Sequence, residues 1–77
     1  MKITVISISK SGKSAFISLS KKTGVFISTV KGFIQIDPDA TVAKDDTFDL
    51  PEHTKYTLSE SVSEEDPSVK FTWISFL

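Results

Sequence analysis

The chain has 77 residues, no cysteine and a formal net charge of −1. A chain of this length leaves little room for a deep, enclosed active site, and without cysteine it has no disulfide or thiolate metal site, which fits a reducing compartment. Its apolar runs are too short to span a bilayer, and its first residues lack a signal-peptide core. We therefore expect a soluble, intracellular, cytoplasmic protein with no membrane partner, placed in the host cytoplasm if the protein is viral.

The small net charge hides a strong asymmetry along the chain. Residues 1–36 contain six of the nine lysines and no acidic residue, whereas residues 37–77 contain all ten acidic residues. The first part predicts a cationic surface, on which a polyanion or an acidic partner docks. Every cationic contact must come from lysine, because the chain has no arginine. Lysine suits phosphates but not the bidentate recognition of guanine, so sequence-specific duplex recognition is not expected.

Isoleucine, valine, phenylalanine, threonine and serine dominate the sequence, and no segment repeats its apolar residues at helical spacing over three turns. This pattern predicts an all-β fold, either a small barrel or a sandwich of short strands, with residues 1–77 as a single domain. A short turn or a single helical turn is expected within Thr41–Phe48. The predicted strands are Lys2–Ser9, Ser14–Ser20, Val25–Val30, Phe33–Asp37, Lys55–Val62 and Val69–Phe76, with turns at Gly12, Gly24, Gly32, Pro38, Pro51 and Pro67.

The first two connections each end in glycine. Lys10–Gly12 and Lys22–Gly24 are typical of three-residue hairpin loops with glycine in the left-handed conformation. In the first strand the apolar residues change from odd to even positions at Val5 and Ile6. This change indicates a β-bulge or a strand that serves two surfaces.

These loops predict the register of the first three strands. Val5 is expected opposite Ile17, Ile3 opposite Leu19, and Leu19 opposite Ile27. The predicted core face then carries Ile3, Val5, Ala15, Ile17, Leu19, Val25 and Ile27. The other face is expected to carry five apolar residues between polar ones, namely Ile6, Ile8, Phe16, Phe26 and Val30.

One segment imitates a phosphate-binding loop. Ser7–Ser14 follows a strand and ends in Gly-Lys-Ser, and Phe33–Asp37 imitates the strand that supplies an aspartate in such proteins. Ser7 replaces the first glycine of the motif, and the residues after Ser14 alternate as in a strand where a helix is required. We therefore interpret the segment as a β-turn.

No other catalytic or metal motif is present. The aspartates at positions 37, 39, 45, 46 and 49 lack the spacing and central glycine of a calcium-binding loop. His53 is the only histidine, and no serine lies in a nucleophile-elbow motif. We expect no enzymatic activity, no cofactor and no metal site.

Lysines near two phenylalanines are the remaining functional signal. Single-stranded nucleic acid requires cations for its backbone and flat rings for its bases. Two alternatives stay open, in which the rings belong to the core or the same apolar patch binds a protein. The candidate nucleic-acid-binding residues are Phe16, Phe26, Lys10, Lys13, Lys21, Lys22 and Lys31.

The order of these features resembles a known family. Lysine-rich glycine turns precede the segment Lys44–Pro51, which is followed by a strand, an acidic loop and a closing aromatic strand. In outline the chain resembles the small OB-like single-stranded-DNA-binding proteins of bacteriophages. The resemblance implies a small OB-like barrel of five to six mostly antiparallel strands. The resemblance implies stacking rings on the second and third strands, which match Phe16 and Phe26 here. The leading hypothesis is non-enzymatic binding of single-stranded DNA; the alternative is a protein-interaction module, such as a phage-encoded inhibitor or a virion component.

The closing strand is apolar on both of its faces. We expect Val69, Phe71 and Trp73 to point into the barrel. A second copy in a homodimer would then cover the others, Ile74, Phe76 and Leu77. In the alternative, the loop formed by residues 37–51 folds over this strand within one chain.

Overall fold

The computed structural model describes all residues, Met1–Leu77, as six strands without a helix. The strands form one sheet in the order β4-β1-β2-β3-β6-β5, and every neighbouring pair is antiparallel except β3 and β6. The all-β prediction is confirmed. None of the elements is a helix long and apolar enough to cross a bilayer. The strands are β1 (Lys2–Ile8), β2 (Ser14–Thr23), β3 (Phe26–Gln35), β4 (Thr47–Asp49), β5 (Tyr56–Val62) and β6 (Lys70–Phe76).

The sheet is open at both edges. Strands β4 and β5 are the outermost strands, and no ladder joins them. Closure into a barrel is therefore not confirmed. Strand β4 was not predicted: the segment Thr41–Phe48 contains a turn at Lys44–Asp45 and the start of this strand. Strands β5 and β6 agree with their predictions to within one residue.

The β1–β2 hairpin has the predicted register for its first pairs, but its loop is longer than predicted and a bulge compensates. Ile3 lies opposite Leu19 and Val5 opposite Ile17, but a bulge around Ile6 shifts the next pairs by one residue. The loop has four residues, 10–13, because the Ser9 N–H still donates a backbone hydrogen bond of 2.9 Å to the Ser14 carbonyl oxygen. One extra loop residue and one bulged residue offset each other. The bulge also explains the change from odd to even apolar positions in β1, and Gly12 has a φ of 73°, as predicted.

The β2–β3 hairpin turns through two residues. Thr23 lies opposite Phe26, so the loop consists of Gly24 and Val25. Gly24 has a φ of 62°, which confirms the predicted left-handed conformation. Glycine with a positive φ at the first central position is the requirement of a type II′ turn, whose twist suits a hairpin. The predicted three-residue loop is wrong.

The shorter loop changes the register of β3. Leu19 lies opposite Val30 and not opposite Ile27. The shift is odd in number, so it exchanges the two faces of β3. Val25 and Ile27, predicted in the core, are 88% and 70% exposed. The residues of β3 that share the core side are Phe26, Ser28, Val30, Gly32 and Ile34.

Gly32 lies inside one long strand and does not form the predicted turn. It is buried, and a Cβ atom there would lie 3.0 Å from both the Thr72 carbonyl oxygen and Ile74 Cγ1. Only glycine permits this close approach of β6 to β3. The segments predicted as two strands, Val25–Val30 and Phe33–Asp37, therefore form one.

The core lies on one side of the sheet, which we call the core face. Its buried side chains come from β1, β2 and β6, and the partly buried Met1, Val42 and Leu50 pack against them. Residues of the 37–51 loop thus cover part of the core within one chain, whereas Phe76 and Leu77 at the end of the closing strand stay 38% and 81% exposed. The buried hydrophobic residues are Ile3, Val5, Ala15, Ile17, Leu19 and Ile74.

The closing strand has the opposite orientation to the predicted one. Ile74 is 3% exposed and belongs to the core, whereas Phe71 and Trp73 lie on the other face and Val69 is 41% exposed. The prediction that these three residues point inward is wrong. The physical reason is Gly32, since its missing side chain leaves the space that Ile74 fills.

Candidate nucleic-acid interface

The side of the sheet opposite the core carries four aromatic rings, and we call it the aromatic face. Phe16 lies opposite Phe33 in the β2–β3 ladder, and Phe33 lies opposite Trp73 in the β3–β6 ladder. Phe71 has the same parity as Trp73 in β6. Each of the four side chains is half-buried, so each ring keeps part of its surface in contact with solvent.

Phe33 lies at the centre of this ring cluster. Its ring centroid is 4.9 Å from that of Phe16, 5.5 Å from that of Phe71 and 5.6 Å from that of Trp73. These are the separations and tilted or edge-on geometries that aromatic pairs prefer. The Trp73 indole Nε1 donates a hydrogen bond of 2.9 Å to Ser61 Oγ. The cluster therefore holds its rings in fixed positions and joins β2, β3 and β6.

The charge around the cluster is positive. Strands β1, β2, β3 and β6 contain no acidic residue. By register, Lys2, Lys22 and Lys31 lie on the aromatic face, and the strands around the rings otherwise present mostly serine and threonine. Asp49 of the edge strand β4 lies opposite Lys2. It is the one acidic residue that the strands carry on this face.

A groove of about 460 Å³ lies at one end of the ring cluster. Trp73 and Lys13 both line it, together with Gln35 at the end of β3. Its other lining residues are Gly12, Ser14, Ile36 and Pro38. The groove thus combines a flat ring, an ammonium group and an amide, which are the groups that contact a base, a phosphate and a base edge.

The predicted stacking rings do not share a face. Phe16 belongs to the aromatic face, but the register places Phe26 on the core face, seven residues along β3 from Phe33, or about 23 Å. The prediction that Phe16 and Phe26 form one surface is wrong, because the β2–β3 loop is shorter than expected. Phe26 is 73% exposed.

The predicted lysines are spread along the sheet. Lys10 and Lys13 lie in the β1–β2 loop, whereas Lys21 and Lys22 lie near the β2–β3 turn at the other end. Lys31 lies between these ends, and Lys21 points to the core face. All five are exposed. The assignment of these residues to nucleic-acid binding stays a prediction.

Three rings of the cluster were missed by the sequence analysis. Phe33, Phe71 and Trp73 are separated by long intervals in sequence and meet only through the parallel pairing of β3 with β6. The available signal was the shared parity of Phe71 and Trp73, which places two rings on one side of a strand.

Eight of the ten acidic residues lie in loops and turns. Asp37 Oδ1 accepts a hydrogen bond from the Asp39 amide, and Asp46 Oδ2 accepts one from the Ala43 amide. Two hydrogen bonds lower the pKa of the Asp66 carboxyl. The larger effect comes from the Ser68 hydroxyl and the smaller one from the Ser68 backbone N–H. No three acidic or histidine side chains come together in a group that could hold a metal ion.

Comparison of the chain with protein families, with curated proteins and with solved structures found no match. The functional argument therefore depends on the geometry of this molecule.

Proposed function

We propose that this protein binds single-stranded nucleic acid, with DNA as the favoured form, on its aromatic face and without chemical catalysis. The observation that supports the proposal is the ring cluster of Phe16, Phe33, Phe71 and Trp73, set in central strands that contain no acidic residue. Bases stack on exposed ring surface, and lysines neutralise the phosphates between them.

The lysines define a path across this face. Lys22 and Lys31 lie towards the β2–β3 turn, the rings lie next, and Lys13 lines the groove at the far end. From the level of Lys22 to that of Ser14 the path covers eight residues of β2, or about 26 Å. Bases laid across a sheet face are the mode that OB-like proteins use, and we propose the same use of this sheet, although its edges stay open.

Binding should be measured by fluorescence anisotropy with labelled oligo-dT of about 12 nucleotides and with duplex DNA, at two salt concentrations. The two faces provide a matched pair of variants. Lys22→Ala with Lys31→Ala removes two charges from the aromatic face, and Lys21→Ala with Lys70→Ala removes two from the core face.

We expect the aromatic-face variant to bind oligo-dT roughly ten-fold more weakly at low salt, with a salt slope reduced by about 1.4. The core-face variant should change much less. Trp73, the only tryptophan, should lose fluorescence on binding. Equal losses in both variants, or no binding of oligo-dT by the wild type, would contradict the proposal.

A protein-interaction module remains the second candidate. The observation that favours it is the exposure of large apolar side chains at the β2–β3 turn and along β5. Such an interface depends on apolar contact, so its affinity should change little with salt, unlike that of a nucleic-acid complex. The same salt titration therefore separates the two.

A further inference from the structure

The end of the β2–β3 hairpin projects beyond the rest of the sheet. The β1–β2 ladder begins at Ser20, and the β3–β6 ladder contains only the pair of Phe33 with Trp73. Every residue from Lys21 to Thr29 is exposed. We call this segment, residues 21–29, the basic arm, since it carries two lysines and no acidic residue.

The loop end of the β5–β6 hairpin, residues 62–70, projects from the same end. Strands β3 and β6 are parallel, so the turn before β3 and the loop before β6 lie at the same end of the sheet. We call residues 56–76 the acidic hairpin, because they contain four acidic residues and one lysine. The acidic residues are Glu60, Glu64, Glu65 and Asp66.

Both projections expose large apolar side chains. On the basic arm, Val25, Phe26 and Ile27 are 88%, 73% and 70% exposed; on the acidic hairpin, Leu58 and Val62 are 52% and 54% exposed. The molecule has 5899 Å² of accessible surface, against about 4,700 Å² expected for its mass of 8.5 kDa. The excess exceeds the roughly 800 Å² that each partner buries in a standard interface.

We propose that two copies associate around a two-fold axis, with the basic arm of each copy packed on the acidic hairpin of the other. Each projection supplies what the other lacks: apolar surface to cover apolar surface, and charge of opposite sign. Because both projections leave the same end of the sheet, one two-fold rotation makes both contacts at once and closes the assembly. Phe26 and Val62 lie on the same face of their strands, and Val62 adjoins the acidic loop, so these two residues are the central apolar contacts.

The test is a charge exchange, measured by sedimentation without nucleic acid, so its result does not depend on the proposed function. One variant carries Lys21→Glu with Lys22→Glu, and the other carries Glu64→Lys with Glu65→Lys. Each places like charges across both contacts, and we expect each to dimerise about a hundred-fold more weakly than the wild type. An equal mixture of the two should form a heterodimer, since the opposite charges face each other again.

Two control variants separate this interface from general effects. Lys10→Glu with Lys44→Glu makes the same charge change away from both projections, at the β1–β2 loop and before β4, and should leave the dimer intact. Phe26→Ser should weaken it about ten-fold or more, whereas Leu77→Ser, at a side chain that is 81% exposed, should not. At a protein concentration of about 100 μM, a dimer with a dissociation constant in the μM range would be largely assembled. A wild type that stays monomeric there overturns the proposal. A mixture of the two charge variants that fails to associate also overturns it. The same holds if the protein is a monomer that sediments with phosphatidylserine-containing vesicles through its basic arm.

Discussion

The β1–β3 region and the β5–β6 hairpin belong to one sheet but are held in it by different means. Strands β1 and β2 supply five of the six buried hydrophobic side chains and form long antiparallel ladders. The hairpin supplies one, Ile74, and all of β5 after Tyr56 is exposed. A single parallel pair joins the two regions.

Side-chain contacts on both faces therefore hold the hairpin to the rest of the sheet, and Tyr56 of β5 also packs on the core. On the core face, Ile74 fills the space beside Gly32. On the aromatic face, Phe33 contacts Phe71 and Trp73. The difference teaches that a sheet continuous in its hydrogen bonding need not be uniform in stability, because local stability follows buried contacts.

Gly32→Ala should have the largest effect on this comparison. The added Cβ would lie 3.0 Å from a backbone oxygen that belongs to β6. The strand must move, and we expect a loss of roughly 2–3 kcal/mol of unfolding free energy, the upper range for overpacking. Gly12→Ala is the matched control, since no atom lies within 4 Å of its added Cβ and only the positive φ is strained, at about 1 kcal/mol.

Amide hydrogen exchange shows where the Gly32 variant loses stability. We expect faster exchange in β5 and β6, with β1 and β2 still protected. An equal increase in all strands would mean that the two regions unfold as one unit, and the comparison above would fail.

The hairpin ladders show how far the sequence determines the fold. Alternation and glycine positions were sufficient for the all-β class and for the Ile3–Leu19 pair, and they left two explanations for the irregularity at Ile6, of which the structure has the bulge. They were insufficient for the β2–β3 register. A positive φ at Gly24 is compatible with a two-residue loop and with a three-residue loop. Only the buried position of Gly32 distinguishes these two loop lengths.

The candidate site was predictable only in part for the same reason. Phe16 and the lysine-rich strands follow from local patterns, but Phe33 becomes its neighbour only in the correct register. Phe71 and Trp73 join through a parallel pairing between distant segments. Neither propensity nor turn chemistry specifies which strands pair in parallel, so the ring cluster required the structure.

Phe33→Leu tests the contact on the aromatic face. Leucine keeps an apolar side chain but removes three ring contacts, so we expect a loss of about 2 kcal/mol, measured by urea denaturation. Phe16→Leu removes only the contact with Phe33 and should cost about 1 kcal/mol. Equal losses would show that volume, and not ring geometry, joins the two regions.

Gly24→Val should have the smallest effect, because it acts on the basic arm, the exposed end of the β2–β3 hairpin, which contributes no buried side chain. A β-branched residue at a φ of 62° is strained by roughly 1–2 kcal/mol. The strain can have one of two effects. Either the whole domain loses that stability, or the arm opens by itself while the core ladders persist. We expect the second, since every residue from Lys21 to Thr29 is exposed and few contacts resist opening. Amide exchange should thus accelerate at Lys22 and Ile27, and the fall in the urea midpoint should correspond to less free energy than the local strain.

Val25→Ala is the control and should change stability by no more than about 0.5 kcal/mol. The samples should be dilute enough to exclude association. A midpoint that falls by the full strain would make the arm part of the β1–β3 unit.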